Sequence, residues 1–195
     1  MPIRPQLRAA LLALLLGLLF LGPALLPGRT LLPQDPRGFS PFRERISQAE
    51  RSRIDSEAVP HRRDKLFQFL PFDTAVGEAW SAGRVPLWEP RILCGIPLLA
   101  QSTSRAFYPT ALLFALFPPA ALYAWLYLAH LVLGGWAVYR LARILGAEEQ
   151  GALLATAALV LSGYVVGHVH HPMIFFSAVW VLPALEQTWA LLRPG

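Results

Sequence analysis

The chain has 195 residues, of which 55% are hydrophobic and 15% are charged, and its mean hydropathy is +0.45. This composition is too apolar for an ordinary soluble domain and is typical of a protein with several membrane spans. The formal net charge is +5, but the basic residues form neither a compact run nor one face of an amphipathic helix, so nucleic acid is not an expected partner. The single cysteine, Cys94, excludes an intrachain disulfide and a paired-cysteine zinc site.

The first predicted element is residues 1–27, a long apolar run of Ala, Leu, Gly and Phe with Arg4 and Arg8 at its start. Such a run is either a cleaved signal peptide or a first transmembrane helix that stays as an anchor. Its length, and the poor cleavage site that Pro23 creates, favour the anchor. Both alternatives send the following residues out of the cytoplasm.

Residues 28–105 contain twelve basic and nine acidic residues and are too polar to cross a bilayer. The part from residue 36 to residue 60 interleaves arginines with carboxylates, which predicts a solvated helix or a mobile linker. The part that follows predicts an amphipathic helix, broken by Pro71, that lies on the bilayer. The apolar residues near a helical period are Phe67, Leu70, Val76 and Trp80, with Asp73, Glu78 and Arg84 between them.

Two irregular segments come before the next span. The run PLWEPRILCGIPLLAQ, residues 86–101, has three prolines and Gly95, which predicts a rigid, non-helical ribbon that is packed down. Residues 106–119 contain about a dozen apolar residues before a double proline, which is short for a span. They predict an interfacial or re-entrant helix.

Residues 120–195 predict three further transmembrane helices, at 120–139, 151–167 and 172–192. If the four spans alternate in direction, five arginines lie on one side, and the positive-inside rule makes that side cytoplasmic. They are Arg4, Arg8, Arg140, Arg143 and Arg193. Residues 28–105 then lie outside, because loops longer than about 60 residues translocate largely regardless of their charge. Because the chain ends soon after its last span, we expect it to be the front part of a longer protein, or a half-sized relative.

The predicted fold is therefore an all-α membrane protein with about four transmembrane helices and a large extracytoplasmic loop that contains amphipathic or re-entrant helices. From Asp64 to Pro183 the chain resembles the YfhO-type bacterial membrane proteins, which are similar to GT-C glycosyltransferases. The residues that carry the resemblance are Asp64, Gln68, Pro71, Gly83, Pro86, Leu87, Trp88, Pro90, Gly95, Pro97, Gln101, Tyr108, Pro109 and the WVLP of 180–183. Glu89 departs from the family pattern, which more often has Asn there. The resemblance implies a GT-C-like N-terminal portion in the cytoplasmic (inner) membrane of a bacterium.

The resemblance also implies a chemistry. GT-C enzymes transfer a sugar from a polyprenyl-phosphate carrier to an acceptor outside the cytoplasmic membrane, and their usual catalytic residue is a carboxylate near the start of the first extracytoplasmic loop. On this chain that carboxylate is Asp64, which would take the proton of the acceptor hydroxyl. The cations at its sides would stabilise the leaving phosphate. The expected substrate-binding residues are Arg62, Arg63, Lys65, Gln68 and Trp88.

Each of these residues also has an ordinary interpretation. Asp64 fits a carboxylate at a helix start within a basic patch. Glu89 is a candidate second acid or metal ligand, and otherwise a surface charge. The cluster of His168, His170 and His171 is a candidate site for a divalent metal or a phosphate, although adjacent histidines cannot both point one way. Polar residues are also common at the end of a span.

Two ionisable residues fall inside the predicted spans. We expect His130 to be a satisfied histidine of the helix bundle and Glu186, near the cytoplasmic end, to reach water. Phosphate-loop, HExxH and GxSxG motifs are absent from the sequence.

The leading hypothesis is a glycosyltransferase-like protein at the cell envelope, whose partners are the bilayer, the lipid-linked sugar and the remainder of a longer protein. The alternatives are a transporter or flippase-like module, with ionisable residues along a membrane path, and a non-catalytic assembly protein.

Overall fold

The computed structural model describes residues 4–58 and 64–192, and in these ranges every regular element is helical. The one strand-like feature in them is an isolated antiparallel bridge between Glu89 and Ile96. The chain forms two compact units. We call Met1–Arg29 with Ala124–Gly195 the membrane unit, and Thr30–Tyr123 the loop unit. The described residues form seven α-helices: α1 (Pro5–Leu25), α2 (Gln48–Glu57), α3 (Leu70–Ser81), α4 (Pro119–Ile144), α5 (Glu149–Val160), α6 (Gly163–Gly167) and α7 (Pro172–Leu192).

Four helical segments are long and apolar enough to cross a membrane. They are Pro5–Leu25, Pro119–Ile144, Glu149–Gly167 and Pro172–Leu192. The prediction of four spans is confirmed at this level, and the chain is a multi-pass membrane protein. α4 begins at Pro119, since proline is well suited to the first turn of a helix, where its missing N–H leaves no hydrogen bond unmade.

Small residues let the spans of the membrane unit approach closely. α1 buries every fourth residue along one stripe: Ala9, Ala13, Gly17 and Leu21. A Cβ atom added to Gly135 of α4 would stand 2.5 Å from the Cβ atom of Ala13. The hydroxyl of Thr156 in α5 donates to the Gly135 carbonyl at 3.1 Å. Close backbone approach at small residues, joined by a hydroxyl hydrogen bond, is how helices associate in a membrane without a hydrophobic driving force between them.

The charged ends of the spans meet at one end of the membrane unit. Arg8 of α1 pairs with Glu149 at the start of α5 at 2.9 Å. Arg140, near the end of α4, pairs with Glu186 of α7. The expected grouping of arginines at one end is thus confirmed for Arg8, Arg140 and Arg143, while Arg193 lies outside the described residues. Glu186 differs from the prediction, because it is buried in an ion pair.

The segment that the sequence predicts as a large loop instead folds, together with residues 106–123, into the loop unit. α3 is its centre and packs against the short 3-10 helix Pro109–Ala115. A Cβ atom at Gly77 would stand 2.3 Å from the Phe114 carbonyl oxygen, so this contact requires glycine. α2 begins with a capping box of Ser47 and Glu50, which confirms the solvated-helix alternative for this part.

The prediction that Pro71 breaks an amphipathic surface helix is wrong. The chain is helical on both sides of Pro71, with a π-helical turn, Lys65–Phe69, leading into α3. In this turn the Leu70 N–H donates to the Lys65 carbonyl, five residues back. Proline cannot bond to the carbonyl four residues back and clashes with it, and the wider turn accommodates this defect. α3 is not a surface helix, because its buried residues include Asp73 as well as Phe72 and Val76.

Candidate functional site

Asp64 stands at the head of the helical segment that runs through the π-helical turn into α3. Its side chain is exposed and forms no capping hydrogen bond with the helix. Gln68, one turn further on, is partly buried, and its amide donates to the Thr103 hydroxyl at 3.3 Å. Arg62 and Arg63, predicted to bind the substrate phosphate, lie outside the described residues. The structure therefore leaves the Asp64 carboxylate accessible from solvent.

Lys65 is placed differently from its predicted role. Its exposed fraction is 0%, and its ammonium nitrogen lies 4.7 Å from the centroid of the Tyr123 ring. Successive residues of a helix point in different directions, so Asp64 faces solvent while Lys65 enters the interior of the loop unit. A fully buried ammonium cannot contact a substrate phosphate, and in this conformation Lys65 belongs to the interior.

The interior group around Lys65 is a cluster of charges that the sequence analysis missed. Asp73 is fully buried, and its Oδ2 atom accepts a hydrogen bond from the Tyr123 hydroxyl at 2.7 Å. The same oxygen pairs with the guanidinium of Arg105, whose side chain is 7% exposed. We call Lys65, Asp73, Arg105 and Tyr123 the buried cluster. It joins α3, the residue after the short helix Ser102–Ser104, and the first turns of α4.

Burial and charge act against each other in the buried cluster. Burial raises the pKa of Asp73, while Arg105, the Tyr123 hydroxyl and Lys65 act to lower it. Burial also lowers the pKa of Lys65 well below its usual range; the charge of Arg105 adds to this effect and that of Asp73 opposes it. Within this cluster the Arg105 guanidinium pairs directly with the Asp73 carboxylate. Such a balanced, hydrogen-bonded pair is the form in which charge is tolerated in an interior.

The proline-rich ribbon is non-helical, as predicted, and a short hairpin holds Glu89 within it. Glu89 and Ile96 exchange two backbone hydrogen bonds of 3.0 Å. Gly95 has a φ of +109°, and a Cβ atom there would stand 2.6 Å from the Trp88 ring, so only glycine fits. Trp88 and Leu93 are exposed, so the tip of the ribbon is less packed than predicted.

Both carboxylate oxygens of Glu89 are occupied by one arginine. Oε1 accepts from the backbone N–H of Arg91 at 2.8 Å and from its Nε at 2.7 Å, and Oε2 accepts from Nη2 at 2.9 Å. Arg91 also pairs with Glu78 of α3. These hydrogen bonds lower the pKa of Glu89. A carboxylate held in this way is a weak proton acceptor and serves better to fix the position of Arg91.

An open cleft of about 400 Å³ lies between α3 and this hairpin. One wall is formed by Leu70, Pro71, Thr74 and Ala75, and the other by Glu89, Arg91 and Ile92. The cleft thus has an apolar helix face opposite a charged pair. Asp64 begins the helical segment that supplies the first wall.

The histidines show ordinary contacts. Nδ1 of His168 lies 2.8 Å from the Tyr164 carbonyl, and the ring centroids of His168 and His171 are 6.1 Å apart. Among the residues that the structure describes, no group of three or more His, Cys, Asp or Glu side chains is arranged to hold a metal ion. The metal-site interpretation of His168, His170 and His171 therefore has no geometric support.

His130 is confirmed as a satisfied bundle histidine, bonded to the Leu126 carbonyl at 2.6 Å and stacked on Phe176.

No family model, curated protein or solved structure matches this chain.

Proposed function

We propose that this protein is a glycosyltransferase-like protein of the bacterial cytoplasmic membrane, as its resemblance to the YfhO-type and GT-C proteins implies. It would transfer a sugar from a polyprenyl-phosphate carrier to an acceptor of the cell envelope. Four spans, with arginines grouped at one end of the membrane unit, support this placement. By the positive-inside rule the arginine end is cytoplasmic and the loop unit is extracytoplasmic, where lipid-linked sugars are used.

The observation that carries the proposal is the exposure of Asp64 at the head of the helical segment that leads into a cleft wall. A general base must be reached by the hydroxyl that it deprotonates. Asp64 is exposed and begins the helical segment that forms one wall of the 400 Å³ cleft. Asp73, nine residues further along, is fully buried and cannot be reached. Glu78 of α3 is also exposed and pairs with Arg91, and the resemblance assigns the role of base to Asp64.

The reaction assigned to Asp64 is a displacement at the anomeric carbon of the donor sugar. The acceptor oxygen forms a bond to that carbon while the bond between the carbon and the phosphate oxygen breaks. The electron pair leaves with the polyprenyl phosphate, and Asp64 takes the acceptor proton. Arg62 and Arg63, which precede Asp64 in sequence, would stabilise the leaving phosphate. Glu89 positions Arg91 at the cleft and does not act as the base.

The test is a transfer assay with the full chain reconstituted in liposomes. Radiolabelled polyprenyl-phosphate hexoses serve as donors and a bacterial envelope fraction as acceptor. We expect transfer by the wild type, and a loss of about 10²- to 10⁴-fold in Asp64→Asn, the usual contribution of a general base. Glu57→Gln, which removes an exposed carboxylate seven residues earlier, should retain activity.

Two results would contradict the proposal at different points. Full activity in a folded Asp64→Asn variant would remove Asp64 as the base. Absence of transfer with every donor would overturn glycosyl transfer itself and favour the transporter or assembly-protein alternatives.

A further inference from the structure

A second cleft, of about 350 Å³, lies in the membrane unit at the end where the arginines meet. It is formed where α1 and α5 begin and α4 ends. Its lining residues are Pro5, Gln6, Tyr139, Arg140, Arg143, Ile144 and Glu149. The walls are thus partly apolar, and the polar groups within reach are an amide, a phenol, two guanidinium groups and the Glu149 carboxylate, which pairs with Arg8. All of these residues belong to the membrane unit, and the proposed transfer reaction uses none of them.

One of the two arginines that line the cleft, Arg143, forms no ion pair within the described residues. Two arginines are neutralised by carboxylates: Arg8 pairs with Glu149, and Arg140 pairs with Glu186. The Arg143 guanidinium donates to the Ala147 carbonyl at 2.9 Å. Within residues 4–58 and 64–192 it forms no ion pair, so its positive charge has no carboxylate partner. An uncompensated guanidinium at the edge of a cleft is suited to an anion, above all to phosphate.

The depth of the cleft identifies the source of that anion. Pro5 and Glu149 are the first residues of their spans, and Ile144 is the last residue of α4. Ends of transmembrane helices lie at the level of the lipid headgroups. The ring of Trp136 lies under the Arg140 guanidinium, 4.7 Å away, and Tyr139 lines the cleft; both residue types are enriched at the membrane interface. A headgroup phosphate is thus already present at this depth, at high local concentration.

We propose that this cleft binds the headgroup phosphate of an anionic phospholipid, with Arg143 as its principal cation. Free phosphate offers the same chemistry, but the apolar lining from Pro5 and Ile144 suits a ligand that continues into acyl chains. The lipid would join the ends of α1, α4 and α5, and its binding would stabilise the folded membrane unit.

The test uses the full chain purified in a neutral detergent. Dioctanoyl phosphatidylglycerol, dioctanoyl phosphatidylcholine and inorganic phosphate are titrated separately, and binding is followed by the rise in unfolding temperature and by native mass spectrometry. We expect phosphatidylglycerol to bind more tightly than the other two. Arg143→Gln should weaken its binding about five-fold, the effect of removing one arginine near an anionic headgroup. Arg143→Lys should retain most of the affinity.

The matched control is Arg29→Gln, which removes the same charge from an exposed arginine beyond the opposite end of α1. It should leave binding unchanged. Equal binding of phosphatidylglycerol and phosphatidylcholine would overturn the proposal, as would an equal effect of inorganic phosphate. Equal losses in Arg143→Gln and Arg29→Gln would show that net charge, and not this cleft, governs binding.

Discussion

Replacing Arg105 with methionine removes the cation that neutralises the buried Asp73 carboxylate. Asp73 is 0% exposed, and its Oδ2 atom would keep one hydrogen bond, from the Tyr123 hydroxyl at 2.7 Å. Removing one partner of a buried ion pair costs about 3–5 kcal/mol, because the remaining charge is uncompensated. Methionine keeps most of the apolar stem, so the cost arises from the lost charge and hydrogen bonding.

The expected loss can be measured in the helix that carries Asp73. In hydrogen-exchange mass spectrometry of the full chain in detergent, the protected amides of Leu70–Ser81 report the free energy of opening. A loss of about 3–5 kcal/mol corresponds to exchange that is about 10²- to 10⁴-fold faster. Arg84→Met, which removes an exposed arginine of the same unit, is the control and should change exchange little.

The pH dependence of this effect has a definite sign. Burial raises the folded-state pKa of Asp73, and loss of Arg105 raises it further. A carboxyl group with a raised folded pKa contributes stability below its unfolded pKa and loses it as the pH rises through the folded value. The ratio of exchange rates between Arg105→Met and Arg84→Met should therefore be larger at pH 8 than at pH 5. Equal exchange in the two variants at both pH values would refute the account of the buried cluster.

Two other changes test the interior of the loop unit. Burial lowers the folded-state pKa of Lys65 below its ordinary value of 10.5. The stability that this group contributes is therefore complete above about pH 10.5 and is lost as the pH falls through the lowered folded value. Between these two values the free energy of unfolding should rise with pH by at most about 1.4 kcal/mol per pH unit. Lys65→Met should remove that rise and raise stability at neutral pH, as measured by denaturant unfolding at pH 7 and 9; an unchanged slope would contradict it. Gly77→Ala should destabilise the unit by about 1–3 kcal/mol, because its Cβ atom would stand 2.3 Å from the Phe114 carbonyl oxygen. Gly83→Ala, with open space at its Cβ position but a φ of +66°, measures backbone strain without such an overlap. No loss of stability in Gly77→Ala would show that the contact with Phe114 is not tight.

The spans and the ribbon could be predicted from the sequence because their signals are local. Hydropathy over about 20 residues defines a span, and the prolines and Gly95 exclude a helix from the hairpin. Arg8, Arg140 and Arg143 could be grouped at one end because alternation of spans fixes which ends meet. Each of these inferences needs only neighbouring residues and the rule that successive spans cross the membrane in opposite directions.

The buried cluster could not be predicted in the same way. Asp73 and Arg105 are separated by 32 residues and by the whole hairpin, so no local pattern joins them. The inward direction of Lys65 could not be inferred from its neighbours either, since Asp64, the residue directly before it, is exposed. One signal was present: Asp73 lies one turn before Gly77 and next to Phe72, within a stretch whose neighbours are apolar.

The proposed function requires the loop unit to lie outside the cytoplasmic membrane, and Cys94 tests this requirement most directly. It is the single cysteine of the chain, and it is exposed in the loop unit. Spheroplasts are treated with a membrane-impermeant maleimide, with Cys94→Ala as the background. A second chain, Cys94→Ala with Glu148→Cys, places an exposed thiol in the turn between α4 and α5. The account predicts that Cys94 is labelled in intact spheroplasts and the thiol at position 148 only after lysis, whereas the reverse pattern would place the loop unit in the cytoplasm and contradict the proposed function.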